Sequence, residues 1–314
     1  MKFFWFLVGG CGLVLSLASS CAGTNGYERF KDCIIMTEQA QARLVIANVR
    51  SGDIIWEWRA ADSDIDEDHL GWFTNPSDAK VVYDGEYVIM SASGGACAMI
   101  RIDDKKTMFY VYGGANPHSV EILPDGNIVC SSSTDDLLTV FRTDTISFPD
   151  NPVHQSSFDW FSHNAVWDRK REVLWTGNMN NIMSWHYNFD CSSPRLTPAD
   201  SIAFDDVAGH DLFPVQGEDA LYLTTDNKLW IYDIPGNEIR EIETEYSKIK
   251  SISAESRGSV PIVSFPKEQW WTDEIFDLEG NSVFHSPGFR IYKARWIVPN
   301  TFSYPPGDKI RLCR

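Results

Sequence analysis

Apolar and polar residues alternate with a period of two through much of this chain, the pattern of half-buried strands rather than of helices. Val120 and Ile122 alternate with polar neighbours. Pro124-Asp125-Gly126-Asn127 then supplies a reversing turn, and Ile128-Val129 starts the return strand. The same unit occurs upstream as Asn75-Pro76-Ser77-Asp78 running into Lys80-Val81-Val82, a turn at Asp84-Gly85, and Tyr87 to Met90. Further copies begin at His163-Asn164-Ala165-Val166-Trp167-Asp168, at His210-Asp211-Leu212-Phe213 and, more weakly, at Lys250-Ser251-Ile252. A strand-only unit recurring at intervals of roughly 40–47 residues predicts propeller blades.

Five full units are expected at about 75–113, 116–160, 163–204, 210–242 and 249–284. Before them lie only three strands, Cys33 to Thr37, Arg43 to Val49 and Ile54 to Arg59. The apolar run from Ile291 to Val298 can supply the missing innermost strand. The expectation is an all-β, six-bladed β-propeller over residues 32–298. It is closed by pairing the C-terminal strand with the N-terminal strands in one blade, which leaves no open sheet edge in the ring. Residues 299–314, with Pro305-Pro306-Gly307, read as a tail packed on the outside.

Composition adds compartment and partner class. The 314 residues are 43% hydrophobic with twelve Trp, enough for a large core of stacked sheets. A net charge of −17 argues against nucleic acid as partner. Lys2, the apolar stretch from Phe3 to Leu17, and Ala18-Ser19-Ser20-Cys21 form an export signal over residues 1–20. Cys21 is the expected lipidation site and residues 21–31 a spacer, so the chain should be exported, monomeric and held at the cell envelope or outer membrane by a lipid anchor. Leu17 stands one position further from Cys21 than in the usual lipobox, so plain secretion is the competing outcome. Of the remaining cysteines, Cys97 and Cys130 are expected as small buried apolar residues. Cys33 and Cys313 are expected either to bridge the two chain ends or to stay free.

The candidate chemistry lies where inner strands begin. His118, His163 and His210 occupy the same slot of three consecutive units; Ser77 or Asp78, Lys250 and Lys293 fill it elsewhere. Ring closure would gather these side chains at one channel mouth, with Arg290 nearby. Three neutral imidazoles would hold a divalent metal (Mn, Zn or Ca), with Asn164 and Asp211 as supporting groups. The lysines and Arg290 instead favour an anion. The acidic run Asp62 to His69 fails the EF-hand pattern, with Glu67 and Phe73 at the required Gly and acid positions, but should overhang the mouth. Trp160-Phe161 and Trp270-Trp271 are expected mainly as blade-interface fillers, with sugar stacking as the alternative. No phosphate loop, nucleophile elbow or HExxH motif is present, and no catalytic residue stands out.

The phrases Asn116-Pro117-His118-Ser119-Val120-Glu121, His163-Asn164-Ala165-Val166-Trp167-Asp168 and Gly209-His210-Asp211-Leu212 resemble an uncharacterised family of Bacteroides-type lipoproteins, DUF6528-like. That resemblance implies a six-bladed propeller on the cell envelope without an established activity. A looser similarity, in fold and channel histidines only, is to oligogalacturonate lyase, a manganese-binding propeller, and transfers no residue role. Three functions remain open. The first is binding of an anionic or carbohydrate ligand, such as an acidic oligosaccharide, at the channel mouth through His118, His163, His210, Lys250, Lys293, Asp78 and Arg290. The second is a metal-dependent lyase or hydrolase acting on a uronate-containing glycan, and the third a scaffold for envelope partners.

Overall fold

The computed structural model describes residue 1 and residues 26–144, 148–149 and 152–313. The export signal and Cys21 lie outside the described residues. Six four-stranded antiparallel sheets form a ring. The first contains β1 (Cys33–Glu38), β2 (Arg43–Asn48) and β3 (Ile54–Arg59). The second runs β4 (Pro76–Val82), β5 (Tyr87–Ala92), β6 (Ala96–Arg101) and β7 (Thr107–Tyr112). The third runs β8 (Pro117–Ile122), β9 (Ile128–Ser132), β10 (Leu137–Phe141) and β11 (His154–Phe158). The fourth is β12 (Val166–Asp168), β13 (Val173–Gly177), β14 (Asn181–Tyr187) and β15 (Leu196–Ala203). The fifth is β16 (Asp211–Pro214), β17 (Ala220–Thr224), β18 (Leu229–Asp233) and β19 (Glu238–Ile242). The sixth is β20 (Ser251–Ser253), β21 (Ile262–Ser264), β22 (Glu274–Asp277) and β23 (Ser282–His285). β24 (Ile291–Trp296) completes the first sheet in the order β24-β1-β2-β3, pairing Ile34 with Trp296 and Ile35 with Arg295.

Apolar wedges fill the spaces between blades. Trp167 and Trp185, each 2% exposed, pack with Leu123, Val129 and Leu138 between the third and fourth. An inner strand has an unpaired edge, and the carbonyls where it begins need donors. Each blade supplies one to the next around the whole ring. Gln39 Nε2 donates to Pro76 O (3.1 Å), Ser77 Oγ to Pro117 O (2.6 Å) and Ser131 Oγ to Asn164 O (3.0 Å). Asn164 Nδ2 donates to Gly209 O (3.2 Å), Thr224 Oγ1 to Ile249 O (2.8 Å) and Ser264 Oγ to Tyr292 O (2.8 Å).

Ion pairs fill the axis. Arg295 on β24 donates to Asp78 Oδ1 (3.0 Å) and Asp211 Oδ1 (2.8 Å), which come from opposite blades, and lies over the Phe213 ring. Lys293 Nζ reaches Asp211 Oδ1 at 3.1 Å, and Lys80 Nζ reaches Glu121 Oε2 at 3.0 Å. Three cations therefore meet three carboxylates, all of them buried. Burial alone would raise the Asp78 and Asp211 carboxyls, but Arg295 and Lys293 hold both below the usual carboxylate range.

The cysteines depart from expectation. Cys97 and Cys130 are buried, but they are bonded to each other, tying β6 to β9 across the second and third blades. Cys313 is bonded to Cys191, not to Cys33, which is buried and free. Sequence spacing does not encode connectivity, which depends on which blade faces which. The tail does more than pack on the outside: it crosses the turns on the face opposite the inner-strand starts. Gln216 donates to Pro299 O, Arg169 to Thr301 O and Arg311 to Pro124 O. The buried Tyr304 hydroxyl donates to Glu121. Gly126 has φ +95°, and a Cβ there would lie 2.1 Å from Arg311 O, so the tail's path requires glycine.

Replacing Arg295 with Met leaves Asp78 and Asp211 buried without their shared partner. Equilibrium urea unfolding is expected to show a loss of about 3–5 kcal/mol. An unchanged midpoint would show that the axial ions do not hold the ring.

Candidate functional site: a blind pit at the channel mouth

Four inner strands begin with a local distortion that re-aims one residue. Ser77 is an extra residue between the pairs Pro76–Ala92 and Asp78–Ser91, and His118 between Pro117–Ser132 and Ser119–Ser131. In the fifth blade His210 N–H donates to Thr224 O while Asp211 pairs with Thr224; Lys250 and Ser251 do the same with Ser264. Bulges of this kind re-aim side chains. The residue two positions earlier has positive φ in five blades, at Asn75, Asn116, Phe161, Ala208 and Lys248. This explains the repeated Asn-Pro, since Asn tolerates that region better than most residues.

The side chains aimed inward meet in a pit of about 410 Å³. His118, His163, His210, Lys250, Tyr292 and Phe161 line it, and Gln39, Asn75, Asn116 and Ser133 add amides and a hydroxyl. The imidazole centroids of His118 and His163 are 4.3 Å apart, and those of His163 and His210 5.8 Å. Phe161 stacks on His163 at 3.9 Å. Four of the expected site residues are thereby brought together.

The others are not. In the last inner strand the inward slot belongs to Tyr292 rather than Lys293. Lys293 lies one step deeper, 1% exposed, in the axial ion cluster with Asp78. Arg290 is exposed, stacks over Trp271 at 5.1 Å and does not line the pit. The acidic loop does not overhang the mouth. Asp64 Oδ1 accepts from Thr107 N–H, and His69 stacks on Trp72 and contacts the Tyr110 hydroxyl, all on the second blade. Trp160 and Trp270 are not interface fillers: they are 49% and 48% exposed. Trp270 reaches the pit rim.

Hydrogen-bond partners assign the imidazole protons. His118 Nδ1 faces Asn116 O at 2.8 Å and His163 Nδ1 faces Phe161 O at 3.0 Å. A carbonyl only accepts, so both Nδ1 atoms carry the hydrogen and both Nε2 atoms are bare acceptors. His210 Nε2 lies 2.6 Å from Asp226 Oδ1 and donates to it. Its Nδ1 is buried and has no partner among the described residues. Lys250 Nζ approaches the same Nε2 at 3.1 Å. That nitrogen already donates, so it offers the ammonium no lone pair, and the ammonium's donors remain for the pit.

Burial keeps the imidazoles neutral. It pushes His118 down to about 3 and His163 well below its ordinary value, with neighbouring imidazoles and Lys293 adding to the effect. Burial and then Lys250 bring His210 to about 4. Burial also lowers Lys250 to about 8, with Asp226 partly restoring it, so the amine is mostly charged at neutral pH and close to its titration.

The expected His₃ metal centre is not assembled. Among the described residues, the ligand atoms of three such side chains come within 4.8 Å of one another at Asp273, Glu274 and His285, not at the ring. His210 Nε2 is engaged by Asp226, and an ammonium 3.1 Å from it opposes any cation there. The outlying trio is on the surface, and Lys267 already bridges its two carboxylates.

Fold and pit together define a six-bladed β-propeller with one blind, polar mouth. The chain belongs to a family of unknown function, DUF6528, whose model matches residues 20–313. A similar solved structure is a protein of unknown function from Bacteroides caccae, 11% identical, with a TM-score of 0.56 over 84% of this chain and 97% of that one. A chain of the Mitotic Checkpoint Complex is 10% identical, with a TM-score of 0.53 over 74% of this chain and 68% of that one. At these identities the likeness is one of fold. Comparison with curated proteins gives no match.

The neutral imidazoles make stability depend on acid. Below pH 6.5 the unfolded chain takes up protons at His118 and His163 that the folded chain refuses, so stability falls with pH. Urea unfolding at pH 6.5 and pH 5 should differ by about 2 kcal/mol for each of the two rings. His118→Gln should remove its share, and a slope unchanged by it would mean that the ring titrates normally.

Proposed function

We propose that this protein binds an anionic carbohydrate at the channel mouth. The observation that carries this reading is one ammonium donor, Lys250, and two bare imidazole acceptors, His118 and His163, in the same pit. A simple anion would satisfy the lysine but leave both acceptors facing lone pairs. A polyol would satisfy the imidazoles and the surrounding amides without using the charge. A sugar acid supplies hydroxyl donors and a carboxylate, sulfate or phosphate together. The pit volume lies within the range of small-molecule sites.

Burial of Lys250 supports a binding role over a structural one. Arg295, Lys293 and Lys80 are also buried, but each has a carboxylate within 3.2 Å. Lys250 is buried at 8% exposure against an imidazole nitrogen instead. Such a charge destabilises the empty protein and is repaid when an anion arrives. An exported, envelope-held protein suits this ligand class, and two disulfides fit an oxidising compartment.

Calorimetric titration with a panel of uronic, sialic and sulfated sugars tests the reading. At least one is expected to bind the wild type, and Lys250→Met is expected to bind none. The same variant, free of ligand, should melt at a higher temperature. Equal binding by the variant, or no binding of any panel member to the wild type, would sink the proposal.

A further inference from the structure

The residues between β21 and β22 form a small rigid device at the pit edge. Glu268 and Trp271 are bridged, with Trp271 N–H donating to Glu268 O at 3.0 Å. Gln269 adopts φ +47°, in the left-handed region. The tight turn this creates places Trp270 next in line, 48% exposed, at the pit rim. Its indole is held: Nε1 donates to Gln39 Oε1 at 2.9 Å, and Gln39 Nε2 donates to Pro76 O at 3.1 Å. The anchor is therefore a side-chain amide that also closes the junction between the first two blades. Trp271 is occupied differently, beneath the Arg290 guanidinium, and Thr272 bridges to Ile291 on the closing strand.

An indole kept half in water contributes little to folding, and leaving such a ring exposed forgoes its burial. Fixing its N–H to a second side chain sets the ring orientation without covering its faces. The lysine and the imidazoles lie inside the pit, and this ring stands at its edge.

Resting on the reading above, we infer that Trp270 is a stacking platform for a second sugar, so that the ligand is an acidic oligosaccharide rather than a single sugar acid. The charged unit occupies the pit against Lys250, His118 and His163, and the neighbouring pyranose lies on the indole. Apolar C–H faces of pyranose rings pack on indole, and the hydroxyls around the sugar's rim remain available to Gln39 and Asn75. Trp270 would thus set chain length, while Lys250 sets charge.

The test is calorimetry of each binding sugar acid from the panel against the linear di- and trisaccharides that contain it, in wild type, Trp270→Ala and Trp270→Phe. The wild type is expected to bind the trisaccharide more tightly than the monosaccharide. Trp270→Ala should weaken the trisaccharide about three- to tenfold more than it weakens the monosaccharide, and Trp270→Phe should recover part of that difference. Matching melting curves for the three proteins exclude misfolding. If chain length gives no gain in the wild type, or if Trp270→Ala weakens monosaccharide and trisaccharide equally or neither, the platform is wrong while anionic-sugar binding stands. If no sugar acid of any length binds the wild type, both readings fall together.

Discussion

A guanidinium shared by two carboxylates from opposite sides of the ring is the constraint on which the rest depends. Arg295 arrives on the last strand of the chain, whereas Asp78 and Asp211 belong to the second and fifth blades. No local segment can form this contact, and it exists only when the ring is shut. A buried guanidinium without both partners would carry a heavy desolvation cost, as would either aspartate alone. The ions thus favour one closure over slipped or open alternatives, with Lys293 joining Asp211 from the same strand. Apolar wedges between blades supply most of the burial, but they are similar from blade to blade and discriminate registers poorly.

The same cluster shapes the face that carries the pit. Lys293, Asp78 and Arg295 fill the axis beneath the histidines, so the mouth is a pit with a floor instead of a pore. Cations under the floor reinforce burial in keeping His118 and His163 neutral. The tail crosses the opposite face, where Tyr304 meets Glu121 and Cys313 is bonded to Cys191. The tail and the ions therefore close the axis from one side, and the pit opens on the other.

Much of this was legible in the sequence because a propeller repeats. The Asn-Pro and histidine phrases locate the inner strands, and three strands at one end with one at the other imply closure within a single blade. Legibility fails where repetition does. The last inner strand lacks the flanking motif and pairs with β1 through an irregularity between Met36 and Glu38. Counting residues therefore put Lys293 in the inward slot one position too deep, and Tyr292 was missed. The disulfide partners were equally hidden: Cys97 and Cys130 become neighbours only when the second and third blades stack. Nothing in the sequence marks Arg295, since its partners are 84 and 217 positions away.

Three features around the pit reduce stability without structural return. Lys250 is a buried cation with an imidazole nitrogen where the axial cations have carboxylates. His210 keeps a buried Nδ1 with no partner among the described residues. Phe161, a bulky residue, sits at φ +60°, and its ring is stacked on His163 rather than buried in a blade wedge. Each would be open to simple replacement if the mouth had only to be closed; Lys250 to Met alone would remove a desolvated charge. The lower axis, by contrast, satisfies its ions with one another. The cations of the axis are paired with carboxylates, whereas at the pit Lys250 meets an imidazole and His210 Nδ1 meets nothing among the described residues, the arrangement on which the proposed anion site rests.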